Sequence, residues 1–151
     1  YYNSVRRFDD TLGKVLQALD AMGLSENTVV FVMSDNGGLS TSEGSPTSNL
    51  PLRGGKGSTW EGGMREPCIV RWPGKVPAGT VCDEMASTMD LMPTFAALAG
   101  TTAPTDRIID GKDIWPVLAK GAKSPHEAFF YHGGNTLRLL AIRQGTKNVA
   151  G

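Results

Sequence analysis

Thr28-Val29-Val30-Phe31-Val32-Met33-Ser34-Asp35-Asn36-Gly37-Gly38 is the stretch whose reading decides the fold of this 151-residue chain. Its first six residues form a continuous β-branched and apolar run without alternation, the pattern of a strand buried on both faces. Its last five are turn formers, so the strand stops at Ser34 with a carboxylate and a carboxamide at its C-terminal end. Upstream, Val5, Phe8, Leu12, Val15, Leu16, Leu19 and Met22 recur at steps of three and four, which predicts one amphipathic helix closed by Gly23. Ser25-Glu26-Asn27 then turns the chain into the strand. Helix, tight turn and buried strand together predict an α/β fold with a parallel sheet.

Downstream, residues 34–67 are rich in Gly, Ser, Thr, Asn and Pro and show no helical or alternating period. A connection of that length inside a domain is usually functional or disordered. Cys68-Ile69-Val70-Arg71-Trp72 reads as the next strand, stopped by Pro73-Gly74, with a further turn at Pro77-Ala78-Gly79. A helix begins near Asp90 as N-cap, tolerates Pro93 in its first turn and ends at Gly100. Thr101 to Asp113 is a connector, and Ile114 to Leu118 predicts a short helix. Ala128 to Tyr131 and Leu137 to Ile142 are strand-like, and His132-Gly133-Gly134-Asn135 between them is turn chemistry, giving a terminal hairpin.

Composition removes several classes of function. Fifteen basic residues balance fifteen acidic ones, without the cationic excess that phosphate backbones require, which argues against nucleic-acid binding. The longest strongly apolar run, Val29 to Met33, is far too short to cross a bilayer, so no membrane partner is expected. Cys68 and Cys82 fit no zinc or redox spacing; Cys68 lies in a predicted buried strand and reads as core. His126 and His132 stand in the hairpin region with no nucleophile signature nearby and read as ordinary hairpin or surface histidines. Asp9 and Asp10 read as the solvated face of the first helix.

Two segments carry chemistry. Asp35 and Asn36 stand where ligand sites gather in open α/β sheets, at a strand's C-terminal end, and offer oxygen donors suited to a hard cation. The competing reading, an Asn-Gly hairpin turn, requires a second alternating strand that Leu39 to Ser48 does not supply. The second segment is Leu52-Arg53-Gly54-Gly55-Lys56-Gly57-Ser58-Thr59-Trp60-Glu61-Gly62-Gly63-Met64-Arg65-Glu66-Pro67. It is not a nucleotide loop, because Gly57 follows the lysine where Ser or Thr is needed, and Trp60 replaces the third glycine of a dinucleotide fingerprint. What remains is a glycine-rich loop presenting Arg53, Lys56 and Arg65 to an oxyanion, against the alternative of a surface lysine with an internal Arg–Glu pair.

In order along the chain, these blocks resemble the C-terminal part of the type I, formylglycine-dependent sulfatases, the arylsulfatase family of the alkaline phosphatase superfamily. The resemblance runs through the Tyr-x-x-x-Val-x-x-Phe-Asp-x-x-x-Gly helix (Tyr2 to Gly13), Ala21-Met22-Gly23-Leu24, Asn27-Thr28-Val29-Val30 and Ser34-Asp35-Asn36-Gly37-Gly38. It continues through Leu52-Arg53-Gly54-Gly55-Lys56-Gly57, Glu61 to Pro67, Arg71-Trp72-Pro73-Gly74, Met89-Asp90-Leu91-Met92-Pro93-Thr94, Asp110-Gly111-Lys112-Asp113 and Ala141-Ile142-Arg143-Gln144-Gly145. It implies a partial alkaline phosphatase-like α/β sandwich, a mixed sheet flanked by helices plus the start of a small C-terminal antiparallel subdomain. On that reading residues 1–113 are the C-terminal part of the catalytic domain and residues 114–151 begin the subdomain.

The resemblance implies a hydrolase of sulfate monoesters in which a formylglycine hydrate attacks sulfur while a calcium ion holds the sulfate oxygens. Asp35 and Asn36 would be metal ligands, and Lys56 would bind the sulfate and oppose its developing charge as a catalytic residue. Secreted, periplasmic or lysosomal locations are those of the family. The formylglycine motif, Cys or Ser followed by x-Pro-x-Arg, occurs nowhere in the chain, and the remaining aspartates and histidines of the family site are absent too. These are expected upstream, in a missing N-terminal part of the same protein, so the chain alone is expected to be inactive and to expose the faces of Val29 to Met33 and Ile69 to Trp72. Glu66 also departs from the family, which commonly carries an apolar residue before this proline, and Thr146-Lys147-Asn148 lacks the usual Trp-Lys. A phosphonate or phosphodiester hydrolase of the same superfamily and a non-catalytic degenerate homologue are the alternatives.

Overall fold

The computed structural model describes residues 1–39, 47–133, 137–145 and 147–150, and the chain divides into two compact units, Tyr1–Ala78 and Gly79–Gly151. In the first, helix α1 (Tyr2–Ala21) follows the predicted apolar period. It stops because Gly23 adopts φ +67°, which lets Gly23 N donate to the Asp20 carbonyl at 3.0 Å and Leu24 N to the Leu19 carbonyl at 2.9 Å. That pair of bonds satisfies the carbonyls orphaned at the helix end. No residue of α1 is buried; Val5, Phe8, Val15 and Met22 of its apolar stripe are exposed.

A 3-10 turn (Ser25–Asn27) leads into β1 (Val30–Met33). This strand pairs with β2 (Cys68–Arg71), and the pairing is antiparallel, Val30 opposite Arg71 and Met33 opposite Cys68. The expected parallel neighbour is therefore not the one this strand takes. The reason lies in the connection: Ser34 N donates to the Pro67 carbonyl at 3.2 Å, so the chain leaves and re-enters the sheet at the same end and β2 must run back. Nor is β1 buried on both faces: its first three residues are half-buried and Met33 is exposed. Cys68 and Ile69 are exposed as well, which corrects the reading of Cys68 as core. The ladder is held to the preceding segment by Trp72 Nε1, which donates to the Glu26 carbonyl at 2.7 Å, and by Arg71 beside Asp20 at 3.6 Å.

In the second unit a 3-10 turn (Thr88–Asp90) runs into α3 (Leu91–Leu98), and a short helix α2 (Glu61–Met64) precedes both in the chain, within the first unit. The predicted helix near Asp90 is present, but Asp90 is not a simple N-cap: its carboxylate turns back to accept Ser87 N at 2.7 Å. Helix α4 (Trp115–Lys120) starts with Pro116 in its first turn and ends at Gly121 with φ +62°. The predicted hairpin forms as β3 (Ala128–Gly133) against β4 (Arg138–Gln144), antiparallel, with an irregularity at Tyr131/His132. A third strand that the sequence reading lacked, β5 (Lys147–Ala150), extends the sheet. His132 and Gly133 close β3 instead of turning, and the predicted turn residues Gly134 and Asn135 lie outside the described residues. Among the described residues Met85, Ile114, Val117 and Ala141 are the buried apolar side chains. Among the described residues no helix is long and apolar enough to cross a membrane.

Candidate functional site

Asp35 and Asn36 follow β1 at the end of the sheet where the long connection starts. Asn36 Nδ2 donates to the Asp35 carbonyl at 2.6 Å, and Ser34 Oγ donates to the Asn36 carbonyl at 2.8 Å. These short-range bonds turn the backbone outward, and both side chains stand exposed. Two residues on, Gly38 becomes a hub: its carbonyl accepts Lys56 N at 3.1 Å and Asn49 Nδ2 at 2.9 Å, while its N–H donates to Asn49 Oδ1 at 2.9 Å. Asn49 Nδ2 also reaches the Gly54 carbonyl at 3.0 Å. One carboxamide thus ties the strand end to the lysine loop. Asn49 was not singled out in the sequence, because a bond across eleven residues leaves no local spacing to detect.

The glycines make this approach possible. A Cβ on Gly37 would overlap the Gly62 carbonyl, one on Gly62 the carbonyls of Arg53 and Gly54, and one on Gly63 those of Gly55 and Ser58. Gly37, Gly55, Gly62 and Gly63 are accordingly buried, and Gly62 N donates to the Arg53 carbonyl at 2.8 Å. Strand end, lysine loop and α2 pack backbone against backbone. Lys56 itself is exposed at the rim of this cradle.

The three loop cations separate on inspection. Arg65 lies 3.9 Å from Glu61, the internal Arg–Glu pair of the alternative reading. Arg53 stacks its guanidinium 3.7 Å from the Trp60 ring centroid, a cation–π contact that presets its direction. Lys56 makes no side-chain hydrogen bond or ion pair with another described residue, and neither does the Asp35 carboxylate. The structure thus places a carboxylate, a carboxamide and an ammonium group on segments one backbone hydrogen bond apart.

Glu66 ends the loop, and its Oε1 is buried with no hydrogen-bond partner. Burial, and then the negative charge of Asp35, push the Glu66 carboxyl above its ordinary range. Among the described residues there is no cluster of three or more His, Cys, Asp or Glu side chains that would hold a metal by itself. Asp35 and Asn36 are the right kind of donors for a hard cation and too few to surround one. As donors these two fit one side of such a site.

The histidines do something else. His126, read as a hairpin or surface residue, is buried, with Nε2 2.7 Å from Asp90 Oδ1 and its ring 4.6 Å from that of Phe129. Asp90 is fully buried and also accepts Ser87 N and, at 2.8 Å, Lys112 N. His132 is exposed and bonds through Nδ1 to the Leu137 carbonyl at 2.8 Å. Cys68, though exposed, has its thiol pushed up by burial of the group, which disfavours the thiolate a nucleophile needs.

The sulfatase family model matches residues 1–101. The chain is 45% identical over 145 residues to mouse (Mus musculus) N-acetylgalactosamine-6-sulfatase, covering 95% of this chain and 28% of that protein. It is 44% identical over 149 residues to mouse steryl-sulfatase, covering 95% and 24%. The structure of the PsFucS1 sulfatase from Pseudoalteromonas sp. superposes with a TM-score of 0.82 at 32% identity, covering 94% of this chain and 28% of that one. The chain therefore spans about a quarter of the length of the curated relatives it matches. With the family model covering two-thirds of its residues and a sulfatase structure sharing its fold, the chain belongs to the sulfatase family.

Proposed function

We propose that this chain is the C-terminal part of a sulfatase, with residues 1–113 in the catalytic domain and 114–151 in the C-terminal subdomain, and that the whole protein hydrolyses sulfate monoesters. The observation that carries the reading is the hub at Gly38, which seats Lys56 beside the strand end bearing Asp35 and Asn36. Asp35 and Asn36 would hold a calcium ion through their side-chain oxygens. Bound there, calcium supplies positive charge that draws electron density from the sulfate oxygens. Lys56, exposed and without an intramolecular partner among the described residues, donates hydrogen bonds to a sulfate oxygen and opposes the charge that grows on it as the S–O bond to the alcohol breaks. The hydrogen bond from Lys56 N to the Gly38 carbonyl fixes the backbone of that lysine at the strand end, so only its side chain has to settle on the substrate.

The nucleophile lies outside this chain: no Cys or Ser followed by x-Pro-x-Arg occurs in it, and a formylglycine is expected in sequence upstream. The relatives named for an amino-sugar 6-sulfate and for steryl sulfates match this chain about equally, so the alcohol half of the substrate is set by other loops. The test is turnover of 4-nitrophenyl sulfate by the full-length protein with calcium and after chelation with EGTA. Turnover that EGTA abolishes and Lys56→Ala lowers by about 10²–10³-fold in kcat is the expected result. Faster hydrolysis of a phenyl phosphonate ester than of the sulfate, or no turnover of either, overturns it.

A further inference from the structure

Resting on that reading, we propose that Asn49 is a positioning residue for the reaction: its carboxamide fixes the backbone that carries Lys56 against the strand end that carries Asp35 and Asn36. Both ends of that carboxamide are committed to backbone. Oδ1 accepts Gly38 N at 2.9 Å, and Nδ2 donates to the Gly38 carbonyl at 2.9 Å and to the Gly54 carbonyl at 3.0 Å. The side chain thus pairs with Gly38 as a neighbouring strand would, through one donor and one acceptor, and its second donor reaches the chain just before Lys56. Glycine makes the room: a Cβ on Gly38 would stand 2.7 Å from Asn49 Oδ1, and Gly38 has no positive φ that would demand glycine for the sake of the backbone. Lys56 N meets the same Gly38 carbonyl at 3.1 Å. The turn around Lys56 is closed separately, by Ser58 N donating to the Gly55 carbonyl at 3.0 Å and Ser58 Oγ donating to it at 2.8 Å. Bonds within one turn preserve its shape wherever it lies. Ser58 therefore shapes the lysine turn, and Asn49 sets where that turn stands.

A residue that acts through Lys56 has little left to contribute once the ammonium is gone. The experiment is steady-state hydrolysis of 4-nitrophenyl sulfate by the full-length protein with calcium, with Tm recorded for each protein. The variants are Asn49→Ala, Asn49→Asp, Gly38→Ala, Lys56→Ala and the double variant Asn49→Ala with Lys56→Ala. Expected is a kcat lowered about tenfold or more by Asn49→Ala, because a small misplacement of a charged group is costly at the reacting centre. Asn49→Asp keeps the shape and the acceptor but turns oxygen toward the Gly38 and Gly54 carbonyls, so it loses at least as much. Gly38→Ala falls in the same way, since its methyl displaces the carboxamide without removing it. On top of Lys56→Ala, Asn49→Ala lowers kcat by less than about twofold. A merely structural asparagine would instead lower the active fraction by the same factor in both backgrounds. Losses that multiply overturn the proposal, and so does an Asn49→Asp kcat near that of wild type. Asn49 variants that do not fold overturn it as well, because the carboxamide then holds the fold and not the lysine. Lys56→Ala separates the two levels. If it lowers kcat and Asn49→Ala does not, the sulfatase reading stands without Asn49; a wild type without turnover, or an unaffected Lys56→Ala, removes both.

Discussion

Tyr1–Ala78 buries glycines, whereas Gly79–Gly151 buries side chains. In the first unit the buried positions are Gly37, Gly55, Gly62 and Gly63, and no apolar side chain is classed as buried among its described residues. In the second, Met85, Ile114, Val117 and Ala141 are buried, and so is a polar clasp of Asp90, Thr94 and His126. The contrast extends to polar groups. Among the described residues the two buried side-chain atoms that lack a partner, Glu66 Oε1 and Arg71 Nη1, lie in the first unit, while the Asp90 carboxylate makes three hydrogen bonds and Thr94 Oγ1 both donates to the Asp90 carbonyl and accepts Ile114 N. A satisfied polar network specifies one packing and tolerates little change. The first unit leaves Glu66 Oε1 and Arg71 Nη1 unmet and Asp35, Asn36 and Lys56 exposed, so its polar side chains specify less of its packing.

If the clasp organises the second unit, Asp90→Ala has the largest effect. It strands Ser87 N, Lys112 N and His126 Nε2, and loss of a buried, multiply bonded carboxylate costs about 3–5 kcal/mol. Urea denaturation of the full-length protein gives that number, and amide exchange locates it: protection should fall in α3, α4 and the segment before β3. Equal loss in α1 would break the distinction between the units. Gly62→Ala attacks the other unit. Its methyl meets the Arg53 and Gly54 carbonyls, which are backbone and cannot swing away, so the cradle opens at about 1–3 kcal/mol. Faster exchange at Gly62 N and Lys56 N, with the second unit unchanged, is the expected signature.

The legibility of each unit in the sequence follows the same divide. α1 and its stop were readable because an apolar period of 3.6 and a glycine at the C-terminus act within a few residues. Its exposure was not anticipated, since periodicity says which face is apolar and not what covers it; the resemblance led only to expected exposure at Val29 to Met33 and Ile69 to Trp72. The direction of β2 was not readable: a four-residue run such as Cys68–Arg71 looks alike in either direction, and the deciding Ser34–Pro67 bond joins residues far apart in sequence. Lys56 stood out by its glycines and the motif they belong to, yet Asn49, which fixes it, did not. The Asp90–His126 pair was missed for the same reason. A buried bond across 36 residues leaves no period, and Asp before an apolar run is read first as a helix cap.

The smallest effect tests whether the two carboxyls outside the clasp differ as the units do. Glu84 and Glu66 shift in opposite directions: Glu66 has no partner, while Glu84 accepts Lys123 Nζ at 2.7 Å and Ser124 N at 2.9 Å. The hydrogen bond from Lys123, then that from Ser124, hold the Glu84 carboxyl below its ordinary 4.5. With the folded value below the unfolded one, the unfolded chain binds more protons between them, so this contribution is complete above about 4.5 and is lost as pH falls through the folded value. Lys123 is exposed and Glu84 half-buried, so water and salt weaken the bond between them. Glu84→Gln should therefore lower Tm slightly at pH 7, less in high salt, and the gap to wild type should close on acidification. A gap that persists at acid pH means that Glu84 acts by packing and shape instead of charge, and the second unit's polar contacts are then as indifferent to ionisation as its apolar core.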